Sequence, residues 1–171
     1  VTQIHLAEDT TLDSIKPVSK KQSALVSSEM DKDSSKIVLA TLNARFFHTS
    51  FGLRYLYANL KELQGCCEIK EFIIQTRAID IVEQILASKP DIVGFGVYIW
   101  NIVETTNVVN LLKVIAPEIK IVLGGPEVSY ETEQQAIVDC ADYVLTGAAD
   151  ISFYQLCKDI INKTPPDKKI L

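Results

Sequence analysis

The sequence predicts one α/β domain of the three-layer, Rossmann-like (flavodoxin-like) type, with a five-stranded parallel sheet between two layers of helices. Short apolar runs rich in β-branched residues alternate five times with longer stretches whose apolar residues recur at helical spacing. The chain has 171 residues, 47% of them hydrophobic, which suffices for one domain with a proper core. Such an alternation requires parallel strands joined by crossover helices.

Each strand is expected where an apolar run is bounded by polar or turn residues. The first run, directly after Lys36, is short and largely β-branched, which is typical of a strand that is covered on both faces. The strands are assigned to residues 37–40, 68–75, 91–97, 119–123 and 143–145.

A helix is expected after each strand. For the first helix, Thr49 or Ser50 is available as the N-cap and Gly65 as the stop, while Pro90 ends the second. Asp150 is a plausible N-cap for the last helix. The helices are assigned to residues 50–64, 79–88, 101–115, 131–140 and 151–162.

The two ends of the chain differ from its middle. Residues 1–35 are rich in Ser, Thr, Lys and Asp and have no sustained apolar periodicity, which predicts a flexible N-terminal arm. Met30 stands just before the regular pattern and is a candidate natural start. The predicted domain spans residues 36–163, and residues 164–171 form a C-terminal tail or the start of a linker.

Composition excludes several classes of function. A net charge of -5 and a pI near 5.1 provide no basic surface for nucleic acid. No apolar run approaches a membrane span of roughly 18–20 residues and no signal peptide opens the chain, so we expect a cytoplasmic protein without membrane contact. The four cysteines lack C-x-x-C spacing and the two histidines stand far apart, so no metal site is predicted and the thiols are expected to be buried or idle.

Functional residues are expected in the loops that follow the strands, because open parallel sheets bind ligands beyond their carboxyl ends. The first of these loops, residues 43–52, is long and carries Asn43, Arg45, His48 and Gly52. Three phenylalanines interrupt it, which argues against a flavin phosphate loop. A phospho-receiver would need acidic residues closing strands one and three and a lysine closing strand five, and the chain does not have them.

The third strand contains paired glycines. If the chain stays extended, side chains alternate between faces and Gly94, Gly96, Tyr98 and Trp100 share one side, directly before Asn101. The glycines leave a slot that either a tightly packed helix or a ligand can occupy. The G-x-G lies inside the strand and lacks a third glycine, so it is not a dinucleotide fingerprint.

The loop after the fourth strand is the strongest candidate for ligand contact. Paired glycines directly after a buried strand allow a ligand to approach main-chain amides, and a hydroxyl follows near the next helix. Small residues including Gly147 in the last loop can also pass close to a ligand. The residues singled out in the fourth loop are Gly124, Gly125, Pro126, Glu127 and Ser129.

Taken together, these segments resemble the N-terminal cobalamin-binding domain of the cobalamin-dependent radical S-adenosylmethionine proteins. The resemblance covers about residues 36–162 and implies a cobalamin whose nucleotide tail lies along the carboxyl ends of the strands, against Gly124 and Gly125. The aromatic residues Tyr98 and Trp100 would form an apolar wall. The segments that carry the resemblance are Thr41-Leu42-Asn43-Ala44-Arg45, His48 with Gly52-Leu53-Arg54-Tyr55-Leu56, Pro90 through Asn101, and Gly124-Gly125-Pro126-Glu127-Val128-Ser129.

The resemblance also implies a partner. The chain has no C-x-x-x-C-x-x-C motif, so an iron-sulfur cluster and S-adenosylmethionine are expected only in a radical catalytic domain in cis or in trans. The resemblance implies that this partner domain acts in methyl transfer. No catalytic residue is predicted in this chain. His48 lacks the D-x-H-x-x-G context of a cobalt ligand and is predicted to contact the cofactor only. The alternative function is a flavodoxin-like interaction module with a vestigial or different nucleotide site.

Overall fold

A five-stranded, all-parallel sheet with the order β2-β1-β3-β4-β5 forms the centre of the fold, which confirms the predicted fold class. The computed structural model describes residues 36–44, 49–130, 132 and 135–171. The predicted N-terminal arm lies outside these residues. The strands are β1 (Ile37–Asn43), β2 (Cys67–Ile73), β3 (Ile92–Gly96), β4 (Lys120–Gly124) and β5 (Tyr143–Leu145).

Helices cover both faces of the sheet. In the described part of the chain, none is long and apolar enough to cross a membrane. Short 3-10 helices at Lys61–Cys66 and Pro126–Val128 supplement the α-helices. The α-helices are α1 (Phe51–Ala58), α2 (Ala78–Leu86), α3 (Ile102–Ile115), α4 (Ala136–Cys140) and α5 (Asp150–Ile161).

Two helices are several residues shorter than the sequence pattern predicts. The first was expected to continue to residue 64, but the Asn59 side chain donates to the Tyr55 carbonyl at 2.9 Å and Lys61 has a φ of 51°, so α1 ends at Ala58. The fourth was expected from residue 131, but Gln135 donates its side-chain amide to carbonyl groups of the preceding loop and α4 begins only at Ala136.

The side chains of alternate strand residues pack into two separate hydrophobic cores. Val38, Ala40 and Leu42 of β1 point toward α2, α3 and α4, whereas Ile37 and Leu39 point toward α1 and α5. All five of these side chains are buried, as expected for a parallel strand covered on both faces. Helices α1 and α5 therefore lie together on one side of the sheet.

The last three residues of the chain lie along the free edge of β5. Val144 N–H donates to the Lys169 carbonyl at 2.8 Å, and Leu171 N–H donates to the Val144 carbonyl at 2.9 Å. Ile170 forms a parallel bridge with Val144, and Thr146 donates both its N–H and its hydroxyl to Leu171. Part of the segment predicted as a tail or linker thus covers the sheet edge, which would otherwise expose unpaired main-chain groups.

One of the two glycines in β3 is required by the packing of a helix. A methyl group on Gly94 would lie 3.0 Å from Leu39 Cδ2 and 3.1 Å from Phe153 Cε2. We expect Gly94→Ala to lower the free energy of unfolding by about 1–3 kcal/mol in urea denaturation, because buried side chains must shift. Adding Phe153→Leu should recover part of this loss. If the two substitutions changed the free energy of unfolding additively, Phe153 would not be the side chain that obstructs a methyl group at residue 94.

Candidate functional site

A crevice of about 200 Å³ lies between α1 and α5, over β3 and β4, and reaches the carboxyl ends of these strands. Leu53 and Leu56 of α1 form one wall, and Ala149 and Phe153 of the α5 region form the other. The crevice brings together six residues predicted from the sequence. These are Gly52, Gly96, Tyr98, Gly124, Gly125 and Gly147.

The floor of the crevice is formed where β3 and β4 pair. Gly94 lies opposite Val122 in the sheet, and the space beside its Cα is filled by Phe153, so at this residue the packed helix accounts for the glycine. A methyl group on Gly96 would instead have ordinary contacts, 3.5 Å from Thr41 Oγ1 and from Tyr98 Cε2. The open part of the predicted slot therefore lies at Gly96 and toward the strand ends.

The paired glycines at the end of β4, Gly124 and Gly125, have different environments. A methyl group on Gly124 would have Leu145 O at 3.9 Å as its nearest neighbour, so the crevice stays open at this residue. Gly125 has a φ of 120°, and a methyl group there would lie 2.3 Å from the Val97 carbonyl oxygen. Val97 N–H donates to the Gly124 carbonyl at 2.8 Å, which holds the two loops together. Gly125 is thus required by the close approach of the protein's own backbone.

The Ser129 hydroxyl forms hydrogen bonds that connect the loop after β4 to the loop after β5. It donates to the Gly125 carbonyl at 2.8 Å and accepts from Gly147 N–H at 3.3 Å. Gly147 has a φ of 69°, a left-handed conformation that favours glycine, and nothing lies within 4 Å of its Cβ position. Pro126 and Glu127 precede Ser129 and lie outside the crevice lining.

An aromatic pair stands beside the crevice. The rings of Tyr98 and Trp100 stack with centroids 4.6 Å apart and an interplanar angle of 8°. Tyr98 lines the crevice, where its hydroxyl lies 3.4 Å from the Cβ position of Gly52, and Trp100 is half exposed. The sequence predicts a chain that stays extended through Trp100. This prediction is wrong, because β3 ends at Gly96 and a turn follows.

Asn101 forms that turn. Its Oδ1 accepts from Tyr98 N–H at 2.8 Å, and its Nδ2 donates to the carbonyls of Leu42 at 3.0 Å and Gly96 at 3.1 Å. The side chain is fully buried, so these partners replace water. Asn101 therefore fixes the ends of β1 and β3 to the start of α3, and it reaches the crevice only through Tyr98 and Gly96.

The loop between β1 and α1 is described only in part, and the predicted residues Arg45 and His48 lie outside the described residues. Asn43 ends β1 and hydrogen-bonds Glu71. Where the chain is described again, Ser50 accepts from Leu53 N–H as the N-cap of α1, as predicted, at 3.4 Å.

Sequence reasoning missed Glu71, which anchors the start of α1. It accepts from Ser50 N–H at 2.5 Å and from the Arg54 guanidinium at 2.9 and 3.1 Å. Partial burial alone would raise the pKa of Glu71, but the hydrogen bonds from Arg54 and Ser50 outweigh it and hold that pKa below its ordinary value. Since β2 pairs with β1 only in the folded sheet, no local pattern marks this contact.

Glu71 should make stability depend on pH. Because its pKa is lower in the folded protein, its stabilising contribution is complete above the unfolded value near 4.5 and is lost as the pH falls through the folded pKa. We expect Glu71→Gln to cost about 1 kcal/mol at neutral pH, and the difference from wild type to shrink in acid. Urea denaturation at several pH values measures this, with the exposed Glu83→Gln as control. A pH-independent difference would contradict the assignment.

The cysteines lie away from the crevice lining and are all free. Burial raises the pKa of Cys67 to about 12, and burial also raises the pKa of Cys66 and of Cys157. These thiols are therefore protonated at neutral pH and poor nucleophiles. Within the described ranges, no group of three or more His, Cys, Asp or Glu side chains could hold a metal ion.

Three solved structures similar to this chain contain cobalamin proteins. A cobalamin-binding protein from Desulfitobacterium hafniense DCB-2 is 25% identical, with a TM-score of 0.53 over 72% of this chain and 57% of that one. The methanol:cobalamin methyltransferase complex MtaBC from Methanosarcina barkeri is 14% identical, with a TM-score of 0.57 over 85% of this chain and 54% of that one. The cobalamin-dependent S-adenosylmethionine radical enzyme OxsB is 15% identical, with a TM-score of 0.56 over 79% of this chain and 20% of that one.

The chain spans between 20% and 57% of the length of these three structures, and the two with lower identity show the fold alone. No curated protein sequence matches the chain. The family model of the B12 binding domain matches residues 37–156, which is most of the chain and includes β1 to β5 and the residues around the crevice. The protein therefore belongs to the B12 binding domain family.

Proposed function

We propose that this domain holds cobalamin with its nucleotide tail in the crevice between α1 and α5 and with the corrin ring over the carboxyl ends of the strands. The observation that carries the proposal is the crevice itself, which is lined mainly by apolar residues, is about 200 Å³ in volume, and lies where parallel sheets bind their ligands. In this scheme the domain orients the cofactor and excludes water, while the chemistry takes place elsewhere.

The residues that line the crevice fit such a tail. Gly96 and Gly124 leave the sheet surface uncovered, and Gly147 leaves the entrance uncovered, because no side chain projects from these positions. Leu53 and Leu56 provide an apolar wall against which a flat aromatic base can pack. Arg45 and His48, which precede α1, remain predicted contacts to the cofactor.

Exposed apolar side chains at the same edge of the sheet support the proposal that a cofactor or a partner covers this edge. Phe51 is 73% exposed, Ile99 is 76% exposed and Trp100 is 50% exposed. All three lie in segments that follow strands β1 and β3, beside the crevice entrance. The stacked pair of Tyr98 and Trp100 would form the apolar wall beside the corrin ring.

The catalytic partner is proposed to be a radical S-adenosylmethionine domain, in cis or in trans, that carries out methyl transfer and holds the iron-sulfur cluster. The support is the series of motifs from Thr41 to Ser129, together with the similarity of the fold to a radical enzyme of this kind. Bound cobalamin would supply a cobalt centre able to carry a methyl group. The family match favours cobalamin binding over the flavodoxin-like interaction module.

Binding can be tested by placing a bulky side chain at the crevice entrance. Ala148 is exposed and lines the crevice, so Ala148→Trp should fold normally and obstruct the tail. We expect hydroxocobalamin to stay with the wild-type protein through a desalting column, and its affinity, followed by visible absorption, to fall at least about tenfold in the variant.

The matched control is Ala58→Trp, an exposed residue at the end of α1 that does not line the crevice. It should retain hydroxocobalamin as the wild type does. Equal hydroxocobalamin affinity in the Ala148→Trp and Ala58→Trp variants would show that the tail does not bind in the crevice. If the wild type retained no hydroxocobalamin, cobalamin binding by this chain would be refuted.

A further inference from the structure

We infer that the crevice selects among corrinoids by the base in their nucleotide tail, and that it takes an apolar benzimidazole-type base in preference to a purine. The inference rests on the proposed function, because it assumes that the tail enters the crevice. It concerns the polarity of the crevice interior, which determines the free energy of burying the polar edge of a base.

The deep part of the crevice offers no free hydrogen-bonding side chain among the described residues that line it. Leu53, Leu56, Val122, Leu145 and Phe153 provide its side chains there, and all five are apolar. Buried side-chain oxygens without a partner occur in the described chain at two other positions, both outside the lining. These are Thr105 Oγ1 and Gln135 Oε1.

The main-chain hydrogen-bonding groups of the floor also have partners within the protein. β3 and β4 pair along their whole length, from Ile92 opposite Lys120 to Gly96 opposite Gly124. The Gly96 carbonyl accepts from Thr41 Oγ1 at 3.2 Å and from Asn101 Nδ2 at 3.1 Å, and the Gly124 carbonyl accepts from Val97 N–H. These carbonyls have their partners within the protein, so a base on the floor would meet groups that are already satisfied.

The polar side chains of the lining belong to segments at the entrance. Tyr98 follows the end of β3, and Asp150 is the first residue of α5, so both lie at the carboxyl edge of the sheet. Gly94 and Phe153 lie deeper, beside the middle of the strands. The crevice is therefore polar at its entrance and apolar at its floor.

This polarity gradient matches the way a base enters. The base is joined to its ribose by a ring nitrogen, and the ribose stays toward the corrin ring, so the edge far from that bond enters first. In a dimethylbenzimidazole this far edge carries two methyl groups, whereas in adenine it carries ring nitrogens and an exocyclic amine. Burying these polar groups without partners disfavours the purine, by on the order of tenfold in affinity.

The test compares the binding of three corrinoids to the wild-type protein at one pH by visible absorption. The probes are cobalamin, the adenine-containing cobamide, and cobinamide, which has no nucleotide. We expect cobalamin to bind on the order of tenfold more tightly than the adenine form, and cobinamide to bind more weakly than cobalamin. Equal affinity for cobalamin and the adenine form would overturn the selectivity, although cobalamin binding would stand. If cobinamide bound as tightly as cobalamin, the tail would not enter the crevice; if none bound, the proposed function would fail as well.

A variant of a wall residue tests whether the crevice wall determines the selectivity. Leu56→Gln adds a donor and an acceptor to the partly buried wall on a side chain that is one bond longer, and glutamine is a good helix former. We expect the ratio of the two affinities to fall at least about threefold. Leu111→Gln changes a partly buried leucine of α3 outside the crevice lining and should keep the wild-type ratio. An unchanged ratio in Leu56→Gln, with normal folding by circular dichroism, would count against selection by this wall.

Discussion

Gly125→Ala is expected to lower the free energy of unfolding by about 3 kcal/mol or more, whereas Gly124→Ala is expected to fold almost as the wild type does. At residue 125 a methyl group would lie 2.3 Å from the carbonyl oxygen of Val97 and 3.0 Å from its nitrogen. These are backbone atoms that a side-chain rotation cannot move. The φ of 120° adds strain of about 1–3 kcal/mol for a residue with a Cβ, and relieving the overlap costs about as much again.

Gly124 provides the matched control, because it is the neighbouring residue and has no close atom around its Cβ position. Thermal and urea denaturation of both variants measure the difference in the free energy of unfolding. Gly124→Ala places its methyl group at the crevice, so its effect should appear in hydroxocobalamin affinity more than in stability. Equal stability of the two variants would contradict the close approach of the loops after β3 and β4.

The contrast between these glycines shows how far the sequence alone could predict the site. A Gly-Gly pair directly after a buried strand indicated a close approach, and both residues do line the crevice. The sequence could not show that Gly125 is approached by Val97, because the two residues come together only when β3 pairs with β4. The same limit applied to Gly94, where the neighbour is Phe153 of the last helix.

The strand starts were easier to predict than the end of α1, for a physical reason. The buried strands are short apolar runs, and β5 matches its predicted bounds at residues 143–145. The end of α1 depends instead on one side-chain amide, from Asn59, and on the left-handed conformation of Lys61. Such a competition between local hydrogen bonds leaves the apolar periodicity of the sequence unchanged. The periodicity therefore extends past Ala58, although α1 ends there.

Asn101→Ala is expected to have the second large effect, lowering the free energy of unfolding by about 3 kcal/mol or more. Three main-chain groups, the carbonyls of Leu42 and Gly96 and the N–H of Tyr98, lose a partner together. Each buried polar group left without a hydrogen bond costs about 1–3 kcal/mol, although Gly96 keeps its bond from Thr41. Release of the Tyr98 turn should also weaken hydroxocobalamin binding, because Tyr98 lines the crevice.

Thr105→Val is the control for this prediction. Thr105 is fully buried one turn further along α3, but its hydroxyl has no hydrogen-bond partner, so an isosteric apolar replacement should be neutral or stabilising. Urea denaturation and hydroxocobalamin affinity, measured on both variants, separate a general effect of altering the buried start of α3 from the loss of a specific anchor. Comparable losses in the two variants would mean that packing, and not the three hydrogen bonds of Asn101, holds β1, β3 and the Tyr98 turn in place.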